Sequence, residues 1–344
     1  MQEHKMIAAI YEGNGVLSIK ETAIPEVTNP DDVKIRVHAV SICGTDVRAL
    51  TKPQGYEFHD GIVVGHECTG EVVAIGEAVT EVAVGDQVVV HPNNGCGKCY
   101  YCRTGKINLC ANFKHIGDTV DGVMAEYAVV PEKLVYPISK EVPTHLACLA
   151  EPLACVLNGT ETVRAHPGET VVVQGAGPIG LLFTMLYKAA GATVIVSDLA
   201  EGRGALAKDI GADLYINPQK EDLTARVLAE TNGLGADLIV DAVGVLLGAS
   251  IPLVKKGGHI LVFGLNTAAE VKLKPAEIVM NEIQIHGTYI AKGTFPMATK
   301  ILEKGLLPIE KIVTHRLPIQ EFPRGLELMK SGEGSKVIIE IADR

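Results

Sequence analysis

Four cysteines stand in one short run, Cys96, Cys99, Cys102 and Cys110, spaced C-x2-C-x2-C-x7-C. Tight C-x2-C turns let thiolates converge on one ion, and zinc favours four sulfurs at tetrahedral corners about 2.3 Å away. Gly95, Gly97 and Gly105 leave the backbone free to form such a knuckle. An iron–sulfur cluster competes, because two of these spacings also occur in ferredoxins, but the last cysteine stands apart and lacks the Cys-Pro signature. The spacing favours a structural zinc lobe near residues 93–112, with every ligand position filled by protein and none left for catalysis.

A second group is Gly175-Ala176-Gly177-Pro178-Ile179-Gly180, which follows an apolar strand and opens a helix. In that setting Gly175 makes the tight turn, Gly177 lets a pyrophosphate approach the backbone, and Gly180 allows close helix packing. The helix N-terminus then offers unpaired N–H groups to the phosphates. Asp198 closes the next strand, 23 residues after Gly175, where a carboxylate can accept from both ribose hydroxyls. Its charge would repel the 2′-phosphate of NADP, which favours NAD. Arg203, five residues on, could meet that phosphate and keeps NADP as the alternative. Gly264 and Leu265 complete the cofactor-binding set.

A third group is scattered: Cys43-Gly44-Thr45-Asp46, Gly65-His66-Glu67 and Glu151-Pro152. Thiolate, imidazole and carboxylate are all zinc ligands, and three of them plus a water make an open, catalytic site. Spacing alone does not join these residues; a fold must.

The elements that have to position them follow from the apolar rhythm. Up to about residue 137 the signal comes in short alternating or β-branched pieces, 33–37, 70–76, 86–90 and 125–130, separated by Gly, Pro and Asn. Residues 143–162 lengthen to a helical pattern. Strand-like runs then alternate with helical ones: Thr170–Gln174 and 178–190, Thr193–Ser197 and 201–210, 213–216 and 219–231, then 236–242, a helical piece to about 255, 259–264 and a closing strand 283–287. Near-continuous apolar strands joined by helices predict a doubly wound α/β domain with a parallel sheet. The remainder, with helical stretches at 297–304 and 322–331 and a strand at 336–341, is too short to stand alone. It is expected to rejoin the β-rich part, so that residues 1–150 and 291–344 form one domain and 151–290 the other.

The composition excludes several classes. The 344 residues carry 31 Lys+Arg against 41 Asp+Glu, a net charge of −10, which gives no general attraction to nucleic acid or anionic lipid. Hydrophobic residues make up 47% and charged ones 21%, too apolar for a disordered chain. No signal peptide or apolar run long enough for a membrane span is expected, which points to a cytoplasmic protein.

With the three groups in this order, the chain resembles the zinc-dependent medium-chain dehydrogenase/reductase family, nearest its sorbitol (polyol) and threonine dehydrogenase branches. The resemblance spans nearly the whole chain and includes Gly85-Asp86-Gln87-Val88 and Glu151-Pro152-Leu153-Ala154-Cys155. It implies a GroES-like catalytic domain with an inserted Rossmann domain. It also implies one catalytic and one structural zinc per chain, and a homodimer or homotetramer. The implied catalytic zinc is held at Cys43 and His66, with Glu67 and Glu151 as carboxylates that can exchange with water; either glutamate could bind at rest. Thr45 matches the family's hydroxyl relay, and Asp46 is a structural candidate. Cys68, Cys148 and Cys155 are read as buried thiols, so none of the eight cysteines is expected in a disulfide.

Departures from the family bear on the substrate. Arg48-Ala49 stands where polyol dehydrogenases carry His-Tyr, and Ile290-Ala291 aligns with their Arg-Tyr pair. Threonine dehydrogenases also tend to carry that His. Arg48, with Lys52 near it, could grip a carboxylate or sugar phosphate, or simply form a surface ion pair. His59 is either a cleft-lining or a surface histidine. The implied reaction is hydride transfer from a secondary alcohol, a polyol, sugar alcohol or its phosphate, to NAD. A hydroxy-amino-acid substrate such as L-threonine, and a non-catalytic NAD and zinc sensor, are the alternatives.

Overall fold

The computed structural model describes residues 5–50 and 58–341. They fall into two compact units: residues 5–50, 58–154, 291–306 and 313–341 make one, and residues 155–290 with 307–312 the other.

The first unit is built on a seven-stranded sheet in the order Val135–Pro137, Gln87–Val90, Glu67–Ile75, Asp32–Ser41, Lys336–Glu340, Val313–Pro318, with Tyr127–Pro131 also pairing to Asp32–Ser41. Alternation drives it: Val33, Ile35 and Val37 are at most 1% exposed, while Lys34 and Arg36 between them are only partly buried. These side chains share one core with Val72, Val88, Phe322, Val337 and Ile339. The C-terminal strand Lys336–Glu340 lies antiparallel to Asp32–Ser41, with Ile338 opposite Ser41. On its other side Ser41 is opposite Glu67, so three distant segments meet at one row of the sheet. Lys5–Gly13 pairs with Val16–Ala23 and Ile62–Val63 in a smaller sheet.

The second unit carries six parallel strands in the order Leu214–Ile216, Thr193–Ser197, Thr170–Gln174, Ala236–Asp241, Val254–Val262, Gln284–Gly287. The strand order reverses between Thr170–Gln174 and Ala236–Asp241, where doubly wound sheets bind ligands. Val171, Val172 and Val173 are wholly buried, as strands covered on both faces require. Residues 307–312 join this unit because Ile309 and Ile312 are buried and Lys311 Nζ donates to the carbonyl and carboxylate of Asp209, each at 2.9 Å.

The structure corrects several expectations. The helical piece running to about residue 255 is a single turn, Leu247–Ser250, and the next strand already begins at Val254. The helix expected from 219 starts at Leu223, where Asp222 caps it by accepting from the Ala225 N–H at 3.1 Å. The helix Pro275–Met280 and the strand Val313–Pro318 had no sequence expectation; the first buries no residue, and the second alternates in burial but places His315 between its inward Val313 and Leu317, which breaks the apolar pattern. Among the described residues no helix is long and apolar enough to cross a membrane.

Ile239, wholly buried at the centre of the parallel sheet, is expected to cost about 2–5 kcal/mol when cut to alanine. The measurement is a lowered urea midpoint with an unchanged slope.

Candidate functional site

Cys43 leaves the strand Asp32–Ser41 and caps the short helix Gly44–Ala49. The cap is reciprocal: the Asp46 carboxylate accepts from the Cys43 N–H at 2.8 Å, and the Asp46 N–H donates to the Cys43 carbonyl at 3.1 Å. Asp46 is therefore structural in the first instance, and its Oδ1 is buried without a partner. Burial pushes the Asp46 pKa up, with His66 and the Cys43 amide opposing. Cys43 Sγ lies 3.5 Å from Thr45 Oγ1, so the hydroxyl reaches the thiol directly.

His66 and Glu67 arrive from the turn into Glu67–Ile75, and both are nearly sealed from solvent, at 4% and 1% exposure. One ligand atom from each of Cys43, His66 and Glu67 lies within 4.8 Å of the others. Burial disfavours a charged His66, but the Cys43 thiol, Asp46 and Glu151 outweigh it and raise its pKa well above the usual histidine value. A divalent cation would do the same work for this anionic set, so the donors fit the zinc that the sequence implies. Glu151, buried in the first turn of Ala150–Thr162, is close enough to act on His66 yet does not join the three mutually close donors.

Lys336 underlies the cluster. It is 2% exposed, and its ammonium donates to Ser41 Oγ at 2.8 Å, to the Ile42 carbonyl at 3.1 Å and to Glu67 Oε2, which also accepts from the Ser41 hydroxyl. Burial alone would lower the Lys336 pKa; the Glu67 carboxylate and Cys43 thiol more than offset it and hold the ammonium charged.

The four-cysteine run also closes. Cys96, Cys99, Cys102 and Cys110 bring their sulfurs within 4.8 Å of one another. Gly97 turns the chain with φ +71°, and backbone N–H groups point inward: Lys98 and Cys99 to the Cys96 sulfur, Cys102 and Ala111 to that of Cys99. The Cys96 and Asn112 amides donate to Cys110 Sγ at 3.2 and 3.3 Å. Such donors hold sulfur in its thiolate form, and Cys96 is held down to about 6.

In the second unit Gly175 adopts φ +103°, and a Cβ on Gly180 would collide with the Gly175 carbonyl. Gly177 precedes the helix Pro178–Ala189, and a Cβ there would meet nothing within 4 Å. Pro178 and Ile179 open that helix, with proline in the first turn where its missing N–H costs nothing. Asp198 accepts from the Ala176 N–H at 2.7 Å and the Ala200 N–H at 2.8 Å, which locks it to the glycine loop.

Two family models match: the alcohol dehydrogenase GroES-like domain over residues 29–140 and the zinc-binding dehydrogenase over residues 178–304. The L-threonine 3-dehydrogenase of Pyrococcus horikoshii is 35% identical over 351 residues, covering 97% of this chain and 98% of the relative. The sorbitol dehydrogenase of Bacillus subtilis is 31% identical over 342 residues, covering 97% of each. The chain belongs to the zinc-dependent medium-chain dehydrogenase family. Among solved structures, a zinc-binding dehydrogenase of Sinorhizobium meliloti 1021 bound to NADP superposes with a TM-score of 0.91 at 31% identity, covering 98% of this chain and 99% of that one.

Within this family frame, the remaining sequence candidates take the following places. Arg203, which the sequence left as a possible partner of a 2′-phosphate, lies 3.4 Å from Asp198 Oδ2 as its ion-pair partner. Gly264 is pinned where the Asp241 carbonyl accepts its N–H at 2.9 Å, and Leu265 beside it is 40% exposed. His59 is exposed, Arg48 is half-buried, and Lys52 lies outside the described residues. All eight cysteines are free, with Cys68, Cys148 and Cys155 buried.

Asp241 was missed. It is fully buried and accepts from the N–H groups of Val243, Gly244 and Leu246 at 2.9, 2.7 and 2.7 Å, shaping the loop at the strand end. An acid closing an apolar strand just ahead of a glycine was the available signal. His115 was also unassigned; its ring lies 5.2 Å from that of His66, and its Nδ1 is 2.9 Å from Asp118. His91 stacks on Phe295 at 4.3 Å, and burial holds its pKa down to about 3.

The thiols should separate by reactivity. With metal removed by a chelator, iodoacetamide at pH 7.5 is expected to label Cys96 first. Cys68, which burial pushes up to about 12, stays unlabelled until the protein unfolds. Peptide mass spectrometry reads both.

Proposed function

We propose that this protein is a zinc-dependent dehydrogenase that oxidises a secondary alcohol to a ketone with NAD as hydride acceptor, and that the substrate is a polyol, a sugar alcohol or its phosphate. The observation that carries the reading is the convergence of Cys43, His66 and Glu67 from separate segments onto one buried point, with the Thr45 hydroxyl at 3.5 Å from Cys43 Sγ.

Cys43 and His66 would hold the catalytic zinc, with Glu67 or Glu151 completing the set, and Cys96, Cys99, Cys102 and Cys110 the structural one. Bound zinc supplies Lewis acidity that lowers the pKa of the substrate hydroxyl, and NAD supplies the hydride acceptor. Thr45, whose Oγ1 lies beside Cys43, would take the hydroxyl proton and pass it toward solvent. Asp198 would accept from the ribose hydroxyls, and its ion pair with Arg203 would keep the guanidinium from serving a 2′-phosphate. The glycine loop presents the N–H groups that open the helix Pro178–Ala189 to the pyrophosphate. Asp241 keeps the neighbouring loop in shape.

The 35% identity to an L-threonine 3-dehydrogenase over nearly the whole chain supports a second reading, a hydroxy-amino-acid substrate. A screen of polyols, sugar alcohol phosphates, threonine and simple secondary alcohols with both cofactors decides between them. No turnover on any of them, with zinc and NAD both bound, would favour a sensor. Self-association as a homodimer or homotetramer goes with the family reading and is measured by light scattering.

Cys43→Ser and His66→Ala should each release one zinc per chain and lower turnover by at least about 100-fold. Intact turnover in either variant would remove the catalytic assignment. Asp198→Ala should shift the preference toward NADP by about ten-fold or more, the worth of one charge-assisted hydrogen-bond pair, read as the ratio of kcat/KM values.

A further inference from the structure

His259 lies on the strand Val254–Val262 and His286 on its neighbour Gln284–Gly287. The two strands are parallel, with His259 opposite Gln284 and Leu261 opposite His286. Side chains two apart on a strand point to the same face, so His259, Gln284 and His286 share one side of the sheet. There His259 Nδ1 stands 3.1 Å from His286 Nε2, with the ring centres 5.3 Å apart. Both rings are half-buried and Gln284 is exposed, so solvent reaches the pair. We propose that His259 and His286 form a further metal site of this protein, in which two neutral imidazoles hold a late first-row divalent ion such as zinc and water fills its remaining positions.

The spacing carries the inference. Two nitrogens each about 2.0–2.1 Å from one ion stand about 2.9 Å apart at a right angle and about 3.4 Å apart at the tetrahedral angle. The separation of 3.1 Å falls between these limits, and turning both lone pairs onto a shared point takes side-chain rotation alone, because the paired strands already fix the backbone. Imidazole binds such ions as the neutral base. Burial and the neighbouring His259 lower the His286 pKa, so protons compete weakly for its lone pair. The strand also has little else to hold it. Among the described residues, Gln284–Gly287 pairs on one side only, exposes three of its four residues and follows the helix Pro275–Met280, which buries none. An ion shared by the two histidines ties this edge strand to the body of the sheet. The inference is independent of the zinc reading above, since neither histidine belongs to the Cys43 or the Cys96 cluster.

The test titrates zinc chloride by calorimetry into the purified protein, dialysed against zinc-free buffer with its tightly held metal left in place. One further zinc per chain is expected. His259→Gln and His286→Gln should each weaken it at least about ten-fold, because a second ligand on the same scaffold binds intramolecularly. His166→Gln, at an exposed histidine of the same unit, should leave it unchanged. Saturating zinc should also protect His259 and His286, and not His166, from diethyl pyrocarbonate, which attacks neutral ring nitrogens and is read by peptide mass spectrometry. No further zinc, or one bound as tightly in the two variants as in wild type, overturns the proposal and leaves an N–H···N bond as the pair's role. If one variant does not fold, the other decides. Loss of protection at saturating zinc overturns the proposal without any variant.

Discussion

A carboxylate sits dry only with an opposing charge or a full set of hydrogen-bond donors, and Glu67 at 1% exposure, which takes an ammonium and a hydroxyl, is the point on which the catalytic unit turns. Its partner comes from the far end of the chain. Pairing of Lys336–Glu340 with Asp32–Ser41 delivers Lys336 to it, and pairing of Asp32–Ser41 with Glu67–Ile75 delivers Ser41. A shift of one residue in either register would turn these side chains to the opposite face of the sheet. The ion pair and the sheet registers therefore specify each other, and Cys43 is carried into place because it follows Ser41 by two residues.

The second unit uses carboxylates differently. Asp198 and Asp241 end two strands that flank the central Thr170–Gln174 and spend their oxygens on backbone N–H groups. Loops at strand ends lack ladder partners, and a buried N–H without an acceptor costs about 1–3 kcal/mol. Each acid thus shapes a loop beside the expected cofactor site. For Asp198 this structural duty and the expected ribose contact fall on the same side chain, whose side-chain exposure is only 10%.

The cysteine lobe shows a third solution, in which the backbone itself prepares the sulfurs. Inward N–H groups from Lys98, Cys99, Cys102 and Ala111 hold the Cys96 and Cys99 sulfurs toward the thiolate form before any ion is considered. The C-x2-C spacing places three of those amides, since each turn presents its own N–H groups to its first sulfur, while the Ala111 amide arrives from beyond Cys110.

Features that depend on near neighbours were legible from the sequence alone: the cysteine knuckle, the glycine turn and its helix, the period-two strand 33–37, and the exact extents of Thr170–Gln174 and Thr193–Ser197. Their physics is local, a matter of turn geometry, φ angles and side-chain alternation. The helical piece expected to reach about residue 255 is only the single turn Leu247–Ser250, and the helix Pro275–Met280, which buries no residue, escaped because it carries too little apolar periodicity to be seen. Only the tertiary structure decided that Glu67 stands with Cys43 and His66 while Glu151 stays outside that set, that Arg203 neutralises Asp198, and that Lys336 lies beneath the cluster. Charge pairing leaves no periodic trace, across the five positions from Asp198 to Arg203 or the 269 from Glu67 to Lys336, because it is fixed by side-chain placement and burial, which exist only once the sheets have formed.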